Sequence, residues 1–163
     1  MQTAIINSPV HKDWDLLLLQ ELYRDKFRNM KATSKWYTLY PSLHLTNSML
    51  NRSVILVNAA LDTNMWAQVP LEGSNDVTII RFRLPQGQIT IFNIYNDCTH
   101  SDTLGLLQHF LDKNVAGFLA DDTDRMIWCG DFNRHRPLWD KEYGTKRETA
   151  ICLRQVPPPL SSH

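Results

Sequence analysis

The sequence predicts a mixed α/β domain built in layers. Three observations carry that reading: a series of short β-prone segments in the first 100 residues, one amphipathic helical stripe after them, and a further apolar strand ending in glycine. Strands, helix and strand in that order bury their apolar faces best as helix packed on sheet. The 163 residues fit a single domain and are enough to enclose a core.

The elements follow in chain order. Residues 3–12 could be the end of a helix, with Pro9 against it. Asp15–Gln20 holds Leu16–Leu19 and reads as a strand buried on both faces, although periodicity alone does not exclude a helix. Trp36–Tyr40 is aromatic, β-prone and stopped by Pro41; Ser53–Asn58 and Met65–Leu71 are further strands. Val77–Leu84 and Gln88–Tyr95 flank Pro85-Gln86-Gly87 and form a hairpin. Its first arm alternates, with Val77, Ile79 and Arg81 on one face and Thr78, Ile80 and Phe82 on the other. Thr103–Leu119 places Leu104, Leu107, Leu111, Val115 and Phe118 on a helical stripe, with Asp102 as N-cap. Arg125–Cys129 is a short strand ending at Gly130. After Asp140 the character changes: a marginal helix over Tyr143–Val156 is stopped by Pro157-Pro158-Pro159. The expected organisation is a domain over 1–142 and a divergent tail over 143–163.

Composition narrows the function classes. Seventeen basic and seventeen acidic residues give zero formal net charge, so a broad positive field does not hold nucleic acid here. A local basic excess exists: Arg24, Lys26, Arg28, Lys31 and Lys35 oppose only Asp25, with Phe27, Trp36 and Tyr37 among them. Such a segment could touch a DNA backbone, or be a solvated turn beside a core strand. Three cysteines form neither an even set nor a C-x-x-C pair, which points to a reducing compartment. Cys98-Thr99-His100 lacks a second pair at ligand spacing, so no structural zinc is expected. His44 and His109 are expected at surfaces or helix faces. No secretory signal is visible at the N-terminus, and the longest apolar run, Leu16–Leu19, is far short of the roughly 20 residues of a membrane span.

Three apolar runs each finish in a polar cluster: Gln20-Glu21, Tyr95-Asn96-Asp97 and Gly130-Asp131-Phe132-Asn133. If these strands neighbour one another in a sheet, Glu21, Tyr95, Asp131 and Asn133 meet at one mouth. Glu21 and Asp131 are hard oxygen donors of the kind Mg²⁺ takes, and an aspartate beside a metal-bound water can accept its proton. Asn133 can hydrogen-bond a phosphate oxygen or a water, and Tyr95 can donate to a developing oxyanion. Together they describe metal-assisted phosphodiester hydrolysis. Taken singly, Glu21 reads as a solvated turn residue, Tyr95 as a core or interface residue and Gly130-Asp131-Phe132-Asn133 as a turn; their order and spacing together favour the functional reading.

Leu19-Gln20-Glu21, Asn93-Ile94-Tyr95-Asn96 and Gly130-Asp131-Phe132-Asn133 resemble successive signatures of the endonuclease/exonuclease/phosphatase superfamily. Within it, the likeness is to the apurinic-endonuclease-like domain of LINE-type (non-LTR) retrotransposon proteins. Arg52-Ser53-Val54-Ile55-Leu56-Val57-Asn58 adds to it, as does Asn133-Arg134-His135-Arg136-Pro137-Leu138-Trp139, with Arg136 where a second His is common. The resemblance covers roughly residues 5–142. It implies a DNase I-like four-layer α/β sandwich, here partial, without the first Asn-bearing strand and most of the C-terminal half. Ser161-Ser162-His163 only superficially echoes the family's closing Ser-Asp-His. The implied activity is a Mg²⁺-dependent DNA endonuclease, Mn²⁺ being an alternative ion, in an intracellular and nuclear setting. The implied roles are Glu21 as metal ligand, Asp131 as the residue that positions or deprotonates water, and Asn133 and Tyr95 as phosphate contacts. Asn96, Arg134, His135 and Arg136 are implied contacts to DNA. A catalytically dead binding remnant and a phosphatase of the same superfamily are the other readings.

Overall fold

The computed structural model describes residues 8–21, 30, 33–46, 51–97 and 99–133. Residues 22–29 and 31–32 of the basic segment, Cys98, residues 134–136 expected on DNA, the helix expected over 143–156 and the tail lie outside the described residues.

Among the described residues, seven strands form two sheets. The first holds β1 (Leu16–Gln20), β2 (Trp36–Leu39) and β3 (Ser53–Asn58), in the order β1-β3-β2 and antiparallel throughout. The second holds β4 (Trp66–Val69), β5 (Val77–Leu84), β6 (Gly87–Tyr95) and β7 (Arg125–Asp131), in sequence order. β6 and β7 are parallel, joined through α1 (Asp102–Phe118) in a β-α-β unit. Among the described residues, no helix is long and apolar enough to cross a membrane.

Side-chain alternation produces the layers. Leu39, Ile55, Val57 and Ile80 fill the space between the sheets, with Leu16, Leu18, Phe82 and Ile91 against them. Val54, Leu56 and Trp36 turn to the far side of the first sheet, where Leu17, Leu19, Met30 and Val10 join them. Val77, Ile79, Phe92 and Ile94 meet Leu107 and Phe118 of α1. Phe92 anchors that layer, stacked on Trp128 at 4.7 Å and edge-on to Phe118 at 5.8 Å. Sheet, sheet and helix are thus the described layers of the sandwich.

Several expectations shift in detail. Of the first segment, the described part holds a 3₁₀ turn at Pro9–Lys12, capped by Ser8. Thr63–Met65 is also a 3₁₀ turn, so β4 starts at Trp66. The four leucines of β1 are half-buried rather than buried on both faces, since among the described residues β1 lies at the edge of its sheet. In α1, Ser101 takes the N-cap position and Asp102 the first turn. The inward face runs through Leu106, Leu107, Phe110, Leu111 and Phe118, leaving Val115 exposed. His44 is buried, stacked on Tyr40 at 3.8 Å and hydrogen-bonded to Asn51, instead of lying at the surface.

Candidate functional site

The inward-facing positions change from apolar to polar at one end of the sandwich. Along β1 they read Leu16, Leu18, Gln20; along β3, from its far end, Val57, Ile55, Ser53. Across the gap, β5 reads Phe82, Ile80, Thr78 and β6 reads Ile91, Asn93, Tyr95. The β6–β7 register pairs Tyr95 with Asp131, so the two share that face.

The polar positions bond to one another across the sheets. Asn93, fully buried, donates through Nδ2 to the carbonyls of Leu19 (3.1 Å) and Val54 (3.0 Å) and accepts from Gln20 Nε2 at 2.8 Å. Ser53 Oγ donates to the Asn93 carbonyl at 2.8 Å, and Thr78 Oγ1 donates to the Ser53 carbonyl at 3.0 Å. Burial of so many polar groups is tolerable only with partners, and these have them. The layer therefore fixes how β1 sits over β6, and the residues just beyond it come together.

Glu21 and Tyr95 are those residues. The Tyr95 hydroxyl donates to Glu21 Oε1 at 2.6 Å. Tyr95 is buried, whereas Glu21 is exposed at the mouth. The bond to the Glu21 carboxylate, reinforced by burial, pushes the Tyr95 phenol up to about 12. Tyr95 is thus a neutral hydrogen-bond donor throughout the physiological range. Its folded-state value exceeds the unfolded one near 10, so its contribution to stability is complete below pH ~10 and fades as the pH rises toward about 12. Ultraviolet titration of tyrosinate is expected to show one phenol ionising late, and Glu21→Gln is expected to bring it back toward ~10.

Asp131 and Asn133 are held from the same strand end. Asn96, directly after Tyr95, donates its backbone N–H to the Asp131 carbonyl and its Nδ2 to the Phe132 carbonyl, each at 2.8 Å. Asn133 Nδ2 returns to the Asn96 carbonyl at 2.8 Å, and the Asn133 N–H donates to Asp131 Oδ1 at 3.0 Å. Gly130 permits the approach of β7 to β6: with φ at +139°, a Cβ there would lie 1.8 Å from the Ile94 carbonyl oxygen. Among the described residues only Glu21 (φ 49°) and Asn133 (φ 43°) are non-glycine residues with positive φ. Strain of this kind persists where the surroundings over-determine it, which is common at functional sites.

Of the residues expected here, Glu21, Tyr95, Asn96, Asp131 and Asn133 lie at one end of the sandwich. The expectation that their strands adjoin in one sheet needs correction: β6 and β7 do, but β1 belongs to the facing sheet. Asn96 is fully buried and bonded to the Asp131–Asn133 segment, so it shapes this loop from within. Three residues that stood in the sequence signatures without an assigned role take one in the fold: Asn93, Gln20 and Arg52. Asn93 had a visible signal, a polar residue interrupting an apolar run at the same parity as Tyr95.

Among the described residues, no three His, Cys, Asp or Glu side chains cluster to hold a metal. The donor chemistry still suits a hard divalent cation, since Mg²⁺ takes one or two carboxylates and fills its shell with water, and Glu21 is an exposed carboxylate fixed by Tyr95. A concavity of about 830 Å³ lies away from this mouth, lined by the β5–β6 turn and Asp121, Thr123 and Asp124, and contains none of these residues.

Comparison with solved structures agrees on the fold. The endonuclease domain of TRAS1, a telomere-specific non-LTR retrotransposon, superposes with a TM-score of 0.58 at 15% identity, over 85% of this chain and 55% of that one. Truncated Caenorhabditis elegans TDP2 gives 0.54 at 15% identity, over 83% and 56%. A second structure of TDP2 from C. elegans gives 0.52 at 16% identity, over 90% and 45%. The chain therefore spans about half the length of the structures it matches. A search of curated protein sequences finds no match. Residues 3–157, nearly the whole sequence, fit the profile of the endonuclease/exonuclease/phosphatase family, and the chain belongs to that family.

Proposed function

We propose that this chain is the phosphodiesterase portion of a DNA endonuclease of the LINE retrotransposon type, acting with Mg²⁺ or Mn²⁺. One observation carries the reading: the Tyr95–Glu21 hydrogen bond stands immediately beside the bonded Asn96–Asp131–Asn133 loop, so acid, phenol, second acid and amide share one mouth. Membership of the family supports phosphoester hydrolysis, and the fold shared with the TRAS1 endonuclease domain supports DNA as substrate.

In this reading Glu21 holds the cation. When bound, the metal supplies Lewis-acid polarisation of the phosphate and charge neutralisation. Tyr95 is held protonated and in place by its bond to Glu21, and on substrate binding its one hydroxyl proton turns from Glu21 to a phosphate oxygen as negative charge develops there. Asp131 lies at the end of β7 and orients the attacking water or takes its proton. Asn133, fixed in its left-handed conformation, hydrogen-bonds phosphate without adding charge. Arg134, His135 and Arg136 follow directly in sequence and supply contacts to the DNA backbone, the two arginines as cations.

Nicking of supercoiled plasmid with Mg²⁺ or Mn²⁺ tests the proposal. Glu21→Gln and Asp131→Asn are each expected to lower the rate by ~10²–10⁴-fold. Cleavage unaffected by both changes refutes the roles, and DNA binding without cleavage points to a non-catalytic domain. Turnover of a phosphate monoester but not of DNA would assign the chain to the family's phosphatases.

A further inference from the structure

Arg52 stands just before β3 and touches both members of the Glu21–Tyr95 pair. Its carbonyl accepts the Glu21 backbone N–H at 3.0 Å, which fixes the residue at positive φ. Its guanidinium lies over the Tyr95 ring, 4.5 Å from the centroid. That guanidinium is held in turn. Nε and Nη2 form a two-point pair with the Asp76 carboxylate, both at 2.8 Å, and Nη1 bonds to Asp97.

The two acids are themselves fixed. Asp76 accepts from Thr103 Oγ1 in the first turn of α1 at 3.1 Å, and its carbonyl accepts the Tyr95 N–H at 2.8 Å. Asp97 accepts from the Thr99 N–H at 2.8 Å and from Thr99 Oγ1 at 2.6 Å. The Thr99 bonds, with Arg52 behind them, hold the Asp97 carboxyl well below the usual carboxylate range. Arg52 thus joins the entry to β3, the start of β5, the end of β6 and the first turn of α1.

We propose that Arg52 is the positioning residue of this site: it presses the Tyr95 ring into the orientation from which its hydroxyl meets Glu21, and it anchors Glu21 through its own backbone. The role toward metal and DNA rests on the function proposed above; the orientation of Tyr95 does not. Arginine suits this place because a planar fork can bind a carboxylate at two points while its face covers an aromatic ring, which an ammonium cannot do. The competing account is an ion-pair cluster that only supports the fold.

The two accounts separate at Tyr95. With ¹³C-labelled tyrosine, the Tyr95 ring signals are assigned by their loss in Tyr95→Phe and followed in Arg52→Lys and Arg52→Gln. Both variants are expected to shift or broaden them, Arg52→Gln more. Mn²⁺ affinity, measured by calorimetry, is expected to weaken about tenfold in Arg52→Lys, and this loss is expected to vanish in the Tyr95→Phe background. Folded Arg52 variants with unchanged Tyr95 signals overturn the proposal, as does an equal loss of affinity with Tyr95 or Phe at position 95. If the wild-type chain neither binds Mn²⁺ nor cuts DNA, the proposed function fails while the Tyr95 signals still decide the role of Arg52. Should Arg52→Gln not fold, Asp97→Asn loosens the same guanidinium and is expected to shift the same signals; unchanged signals in it and in Arg52→Lys overturn the proposal.

Discussion

Gly130→Ala is expected to cost about 4 kcal/mol or more, the range reached only by changes that the fold has no room to absorb. Two effects act together. The backbone there has φ at +139°, which L side chains rarely adopt, and the new methyl would sit 1.8 Å from the Ile94 carbonyl oxygen. Ile94 faces Gly130 in the parallel β6–β7 register, so relief requires the strands to part. Parting them also withdraws Asp131 from the Asn96 N–H and disperses the loop that carries Asn133. Urea unfolding followed by tryptophan fluorescence reads the effect. An alanine variant within about 1 kcal/mol of wild type would show that β7 yields easily and that the glycine answers some other need.

Asn93→Leu is the second large change, expected to destabilise by about 2–4 kcal/mol. The side chain is of similar size, so the loss is one of hydrogen bonds rather than volume. Asn93 Nδ2 no longer reaches the Leu19 and Val54 carbonyls, and Gln20 Nε2 loses its acceptor. Converting Gln20 to leucine as well removes one stranded donor and is expected to restore part of the stability, since replacing both partners by apolar groups is far milder than orphaning one. Thermal unfolding of the two single variants and the double variant measures this coupling. Strict additivity would refute a shared network.

Much of the site was legible because it is written locally. Glu21, Tyr95 and Asp131 each close an apolar run, and the hairpin was visible in its turn residues, the connection being Pro85-Gln86 with Gly87 already paired to Leu84. What escaped is written between distant parts of the chain. Arg52 finds Asp76 and Asp97 at separations of 24 and 45 residues, and Gln20 finds Asn93 at 73. No spacing in the sequence marks such pairs. The placement of β1 in the facing sheet escaped for the same reason: four successive leucines look alike whether a strand is central or at an edge. Burial of His44 depends on Tyr40 and Asn51 folding over it, which the histidine alone does not announce.

The apolar-to-polar change along the strands has one more consequence. Glu21 belongs to one sheet, and Tyr95, Asp131 and Asn133 extend from the other. The mouth is therefore a caliper whose two jaws are whole sheets. A slip of one residue between them, about 3.3 Å, exceeds the 2.6 Å that joins Tyr95 to Glu21. It would open the caliper while the ladder of each sheet remained intact. The apolar layer presses the jaws together, but the register between them falls to a few directional groups, chiefly the buried Asn93 and Ser53 and the half-buried Gln20, so the part of the interior that contributes least apolar surface sets the gap at which the site can work.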